Sequence, residues 1–280
     1  MKKQKRTDLF IRGISYLFLI AILFFALFPA FWMFATSIKP ETEIFTNPPR
    51  FFTENPSFSG YKSVIFESDI PRAFINSLVV SIGTTFFTLV LSVFAAYGFA
   101  RFKFRGSGAL STGLLFGQMM PTVVIVMPLF MMFSEMSLVD NYGGLILANM
   151  AVTIPLGVIM LRSFFITIPK ELDEAALIDG TSHIGALFRI ILPNAIPGVV
   201  AVSIYTFLHS WEEFLFALIL TRSSSSQTLP IAVNDFSGEF VIDWSGLMSA
   251  SVVVCIPVLL LFLLCNKYFV KGLSEGSVKG

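Results

Sequence analysis

Residues 74–100 read FINSLVVSIGTTFFTLVLSVFAAYGFA, 27 residues without one Asp, Glu, Lys or Arg. A membrane span needs about 20 predominantly apolar residues. Working outward, residues 14–38, 109–133, 143–165, 196–220 and 244–268 meet the same test. The expected fold class is therefore all-α: a polytopic membrane protein with six transmembrane helices. Pro121, Pro128, Pro155 and Pro257 fall inside these spans. Neighbouring helices can satisfy the backbone groups that proline frees, so such spans are expected to bend or to line a path.

Composition agrees. The 280 residues are 55% hydrophobic and 13% charged, include 32 Phe, and have mean hydropathy +0.80. A soluble domain carries about 25% charged residues. The net charge of +1 gives no broad basic field for nucleic acid. Cys255 and Cys265 share one apolar run. They would be roughly 15 Å apart on one helix, so they read as packing residues. The basic start, Lys2, Lys3, Lys5 and Arg6, imitates a secretory signal. The apolar run behind it is longer than the ~7–15 residues of such a signal, and no small-x-small cleavage site follows. It reads as an uncleaved first span.

With the N-terminus inside, the inner segments hold 14 of the Lys and Arg residues and the outer ones 5. The positive-inside rule then puts both termini in the cytoplasm. Residues 37–72 and 221–243 become long outer loops, neither large enough to bury a core of its own.

The inner stretch between spans four and five is the most informative. Pro169 can open a helix, and Glu171, Asp173 and Glu174 follow near the positive end of its dipole. Gly180 is a natural stop. Thr181 or Ser182 can cap a second helix, whose apolar stripe would be Ile184, Leu187, Phe188 and Ile191, and Pro193 ends it. Two short helices joined at Gly180 could lie on the membrane surface. They could also be a docking knob for a cytoplasmic partner. The acidic first helix argues against anionic lipid.

Glu174-Ala175-Ala176, three residues, Gly180, nine residues and then Ile190-Ile191-Leu192-Pro193 resembles the EAA loop of ATP-binding-cassette (ABC) importer permeases at every named position. The resemblance implies coupling helices seated on a separate ATPase, with Glu174, Ala175, Ala176, Asp179, Gly180, Leu192 and Pro193 as the coupling residues. It also implies a second permease, two ATPase subunits, an extracytoplasmic solute-binding protein and a bacterial inner-membrane location among lipid. No G-x-x-x-x-G-K-[ST] occurs in the chain. ATP and Mg would therefore be used by the partner ATPase, no cofactor would be bound here, and the chain would not be an enzyme. The expected organisation is a cytoplasmic N-terminus at 1–13, a permease domain at 14–268 with its coupling loop at 169–193, and a cytoplasmic tail at 269–280.

The tail, from Gly272-Leu273-Ser274 through Gly276 to Lys279 and Gly280, is similar to the ending of carbohydrate-type permeases, with Ser274 for the usual Thr. That resemblance implies a sugar or oligosaccharide as solute and gives Gly276, Lys279 and Gly280 a contact to the ATPase. Six spans without an N-terminal extension look like the second, shorter permease of a pair. In the maltose importer the equivalent of loop 221–243 reaches into the binding protein.

Ionisable residues within spans are costly and usually functional. In span five, Glu212 and Glu213 could bind sugar hydroxyls, for which carboxylates and Trp211 are suited, pair with another helix or with Arg222, or reach the outer interface. Family members often carry Asn where this chain has Glu212. Gln118, Asn149 and Asn76 could line the path or join helices by hydrogen bonds. His209 reads as a packed or hydrogen-bonded residue. For an intramembrane hydrolase, the one G-x-S-x-G match, Gly272–Gly276, lies in the polar tail beyond the last expected span, and no H-E-x-x-H pair occurs. An ion-coupled secondary transporter would show inverted repeats and would leave the inner loop unexplained. An importer for a non-sugar solute would not explain the tail.

Overall fold

The computed structural model describes residues 2–238 and 242–277, with side chains over 11–238 and 242–265. The chain is helical: α1 (Lys2–Ser37), α2 (Ile70–Arg101), α3 (Ser107–Met119), α4 (Thr122–Glu135), α5 (Tyr142–Thr167), α6 (Glu171–Ile178), α7 (His183–Asn194), α8 (Ile196–Trp211), α9 (Leu215–Leu220) and α10 (Trp244–Ser277). Two compact units form. One contains the residues up to 68 with 233–255; the other contains 69–232 with the chain from 256 on.

Among the described residues, four helices are long and apolar enough to cross a bilayer alone: Ile11–Ser37, Ile70–Arg101, Tyr142–Thr167 and Trp244–Cys265. The other two expected spans are not single helices. Residues 109–133 divide into α3 and α4, bent by 101° at Met120-Pro121. A residue before proline is pushed out of the helical region, and Met120 is extended at ψ 127°. Pro128, Pro155 and Pro257 lie within helices that continue past them. Residues 196–220 break after Trp211 without a proline. The Glu213 carboxylate accepts the amides of Phe216 at 2.7 Å and Ala217 at 3.1 Å, capping the start of α9. α10 runs beyond the expected end of span six, to Ser277.

In the larger unit, α2, α5 and α8 pack together. The contact face of α2 is a seam of Ser77, Ser81, Thr84, Thr88 and Ser92, all buried. In lipid, small residues let helices approach where apolar burial gives no drive. Thr88 and Thr153 join α2 to α5 by a 2.9 Å hydroxyl bond. Gly157 lies where all three helices meet. A Cβ there would come within 2.7 Å of Ser92 Oγ and 3.3 Å of a Val202 methyl. Below and above this seam are two apolar clusters. One joins Val93, Tyr97, Leu161, Phe165, Leu187 and Ile191, and the other Val80, Val126, Leu145, Phe216 and Leu220.

In the smaller unit, residues 37–58 fold back on the end of α1. Lys39 is buried; its Nζ donates to the Arg50 carbonyl and lies 4.4 Å from the centre of the Trp32 ring. Ser37 Oγ bonds Tyr61 Oη at 2.8 Å, and Ser249 of α10 donates to the Ser37 carbonyl at 3.3 Å. The Asn47–Pro48 peptide is cis.

Loop 221–229 is fastened to α2 and to the α4–α5 turn. Asn76 donates to the carbonyls of Ser225 and Gln227 at 3.0 and 2.8 Å and accepts from Tyr142 Oη at 2.7 Å. The Asp140 carboxylate accepts from the Ser226 hydroxyl, the amides of Arg222 and Ser223 at 2.8 and 3.0 Å, and the Ser223 hydroxyl at 2.7 Å. These donors, the Ser226 hydroxyl first, hold its pKa below the ordinary carboxylate range. A depressed value stabilises the fold above the unfolded carboxyl value of about 3.9, and that contribution is lost only as pH falls through the lowered folded value. Hydrogen exchange at the Arg222 and Ser223 amides should therefore stay slow through pH 4 in the parent protein. Asp140→Ala should expose both amides already at neutral pH, and unchanged exchange in that variant would show that the carboxylate does not hold the loop.

Candidate functional site

The segment between α5 and α8 folds as expected in outline, and its caps explain why. Gly180 is left-handed, φ 82°. The Gly180 amide donates to Leu177 O at 3.1 Å and the Thr181 amide to Ala176 O at 2.9 Å. This pair of bonds is the Schellman ending, which a Cβ at Gly180 would strain. Ser182 then caps α7, accepting from the Gly185 amide at 3.2 Å. The body of α7 is a π-turn, Leu187–Ile191, and α7 meets α8 at 82°.

The two faces of α6 differ. Asp173 and Ala176 are buried, while Glu174, Ala175, Leu177, Asp179 and Gly180 are exposed and Ile178 is 86% exposed. The inward face is held by an ion pair that local reading missed. Arg101, at the end of α2, pairs through Nε with the Asp173 carboxylate, their side chains 6% and 10% exposed. Arg101 Nη2 also donates to Ile168 O at 3.0 Å. Arg101 counted in the sequence only as an inner positive charge and Asp173 only as a dipole partner. Their pairing spans too many residues for local pattern to show.

The expected stripe on α7 is corrected. Leu187 and Ile191 are fully buried, but Ile184 and Phe188 are 62% and 51% exposed. The buried ridge is Ala186, Leu187, Ile191 and Ala195, and the Phe188 ring lies edge-on to Phe94 with centroids 6.1 Å apart. The π-turn changes the register, so a 3.6-residue count drifts off the true face. Leu192 is half-buried and Pro193 exposed.

The four expected path residues separate. Trp211 is 2% exposed, stacked on Phe207 at 5.7 Å and edge-on to Phe74 at 5.5 Å. Asn149 is 1% exposed and donates to Leu145 O at 2.9 Å. Both are packing residues within the bundle. Gln118 is half-buried near the end of α3, and Glu212 is exposed at the end of α8. The helix ends at Trp211 and Glu212 closes it as the C-cap, its amide donating to Leu208 O at 3.0 Å. Arg222 does not pair with Glu213; its guanidinium lies 5.8 Å from the Phe130 ring. Lys279 and Gly280 lie outside the described residues, as do the surroundings of Gly276.

Residues 88–275 match the family described as binding-protein-dependent transport system inner membrane component. The chain belongs to this family. It is 34% identical to the sulfoquinovosyl glycerol transport system permease SmoH of Agrobacterium fabrum, over 91% of this chain and 89% of that one. It is 33% identical to the diacetylchitobiose uptake system permease DasC of Streptomyces coelicolor, over 92% and 94%. Its fold matches a chain in the crystal structure of a bacterial ABC transporter that imports the acidic polysaccharide alginate. There the TM-score is 0.81 with 20% identity, covering 92% of this chain and 96% of that one. The molecule is an integral membrane permease, and α6–α7 is the segment whose sequence resembles the EAA loop.

Removing one partner of a buried ion pair costs about 3–5 kcal/mol, whereas replacing both with apolar groups is often neutral. Arg101→Met should therefore lower the unfolding temperature of the detergent-solubilised permease, and Arg101→Met with Asp173→Leu should restore most of the loss. A single variant as stable as the parent would remove this pair from the account of how α6 is held.

Proposed function

We propose that this permease is one of two different membrane subunits of a bacterial ABC importer for a sugar or oligosaccharide, and that α6–α7 couples it to ATP hydrolysis by a partner ATPase. The observation that carries this reading is the division of α6 into an anchored and an open face. Asp173 and Ala176 tie it to the permease, leaving Glu174, Ala175 and Ile178 free for a partner surface. The sugar reading is supported by those relatives whose names specify a saccharide, such as diacetylchitobiose, trehalose and arabinooligosaccharides, and by the resemblance of the tail. The charge bias supports an inner-membrane orientation with α6–α7 and both termini in the cytoplasm. In that orientation loop 221–243 faces a solute-binding protein, with residues 221–229 already held against α2.

The coupling would be mechanical. ATP-driven closure of two ATPase subunits moves a rigid helical lever and biases the permease between two states. ATP and Mg belong to the ATPase in this scheme; the permease chain binds neither and performs no catalysis. Proline at position 180 cannot adopt the left-handed backbone found there. Glu174→Lys and Gly180→Pro should each leave membrane insertion intact while abolishing sugar uptake and stimulation of the ATPase in the reconstituted complex. Normal stimulation in both variants would end the coupling assignment.

A further inference from the structure

Two helices of the larger unit break within expected spans: α3–α4 at Met120-Pro121 and α8–α9 at Glu212–Phe214. Irregular backbone at membrane depth is tolerated only where protein covers it or where it lines a water-filled cavity. Met119 and Met120 are 78% and 55% exposed, so the described residues leave the first break uncovered.

Polar side chains connect the two breaks. Gln118 precedes the first and lies beside the Tyr205 hydroxyl. The Tyr205 and His209 rings are 5.9 Å apart, and His209 is within electrostatic reach of Glu212 at the second break. Positions 205, 209 and 212 follow the i, i+4, i+7 spacing of one helical face. That face adjoins the ridge of Gly198, Val202, Thr206 and Ser210, which packs into the core. Gln118 Oε1 and His209 Nδ1 are buried and have no hydrogen-bond partner among the described residues. A buried polar atom left unpaired is costly, and intramembrane ionisable residues mark solute pathways. The strip offers acceptors at Gln118 and Glu212, an imidazole that can accept or donate, and one aromatic ring. This is the chemistry that receives sugar hydroxyls and the apolar face of a pyranose.

We propose that Gln118, Tyr205, His209 and Glu212 form a continuous polar strip that contacts the hydroxyls of the saccharide as it crosses, an assignment that rests on the sugar-importer reading. Trp211 and Asn149 take no part, because they are closed within the bundle.

The test uses the complete importer in cells, with Cys255 and Cys265 replaced by Ala and single cysteines introduced as Gln118→Cys, His209→Cys and Glu212→Cys. The probe is a membrane-impermeant methanethiosulfonate. Each strip position should react at least about tenfold faster than Asn149→Cys or Trp211→Cys, the factor that corresponds to about 1.4 kcal/mol. Cognate binding protein carrying its own sugar should slow the reaction, and the sugar-free protein should not. Strip cysteines as inert as the controls would overturn the proposal and show that the partner permease covers the face. Reactive cysteines that loaded binding protein does not protect would also overturn it. Failure of the sugar reading itself looks different: the cognate binding protein would then retain no saccharide.

Discussion

In hydrocarbon no water is available to pair with a peptide group, so each buried N–H and C=O must find its partner inside the protein. The molecule follows from that constraint. It explains why the chain is helical and why long helices such as Ile70–Arg101 and Tyr142–Thr167 run without interruption. It also explains what is found where helices stop. At the start of α9 the Glu213 carboxylate receives two amides that the broken helix would have left bare. At Met120-Pro121 the proline has no amide to satisfy. Polar side chains stand at both breaks: Gln118 before the first, Glu212 and Glu213 at the second.

The same solvent alters what holds the helices together. Lipid is as apolar as Leu, so apolar side chains gain little by leaving it. The exposed faces of α1 show this: Phe24 and Phe25 remain 69% and 82% exposed. Cohesion in the larger unit comes instead from close approach. The Ser77–Ser92 seam on α2 and Gly157 on α5 are small, and the Thr88–Thr153 hydroxyl pair seals their contact.

The attachment of the α6–α7 hairpin is firmer, resting on a buried ion pair as well as on packing. Three kinds of interaction supply it. The Arg101–Asp173 pair joins α6 to the end of α2, the Schellman bonds set the turn, and Leu187 and Ile191 anchor α7 in the apolar cluster. Glu174 and Ile178 are left outward as a consequence of that anchoring.

How much of this was legible in the sequence depends on the range of each cause. The spans were legible because hydropathy is a property of each residue summed along the chain. The hairpin was legible because Pro169, Gly180, Ser182 and Pro193 act on their own backbone within a turn or two. Its resemblance to the EAA loop is likewise carried by residues within one short segment, Glu174 to Pro193. The breaks were half-legible: Pro121 stops a helix, but Pro128, Pro155 and Pro257 do not, and no local rule separates them. Glu213 looked like a membrane charge in search of a partner, and its partners proved to be backbone amides. What only tertiary structure decided is which residues meet. It paired Arg101 with Asp173, shifted the buried ridge of α7 away from Ile184 and Phe188, closed Trp211 and Asn149 inside the bundle, and brought Gln118 beside Tyr205. Those outcomes depend on contacts between distant segments and on the register with which helices pack. Neither is encoded by the neighbours of a residue along the chain.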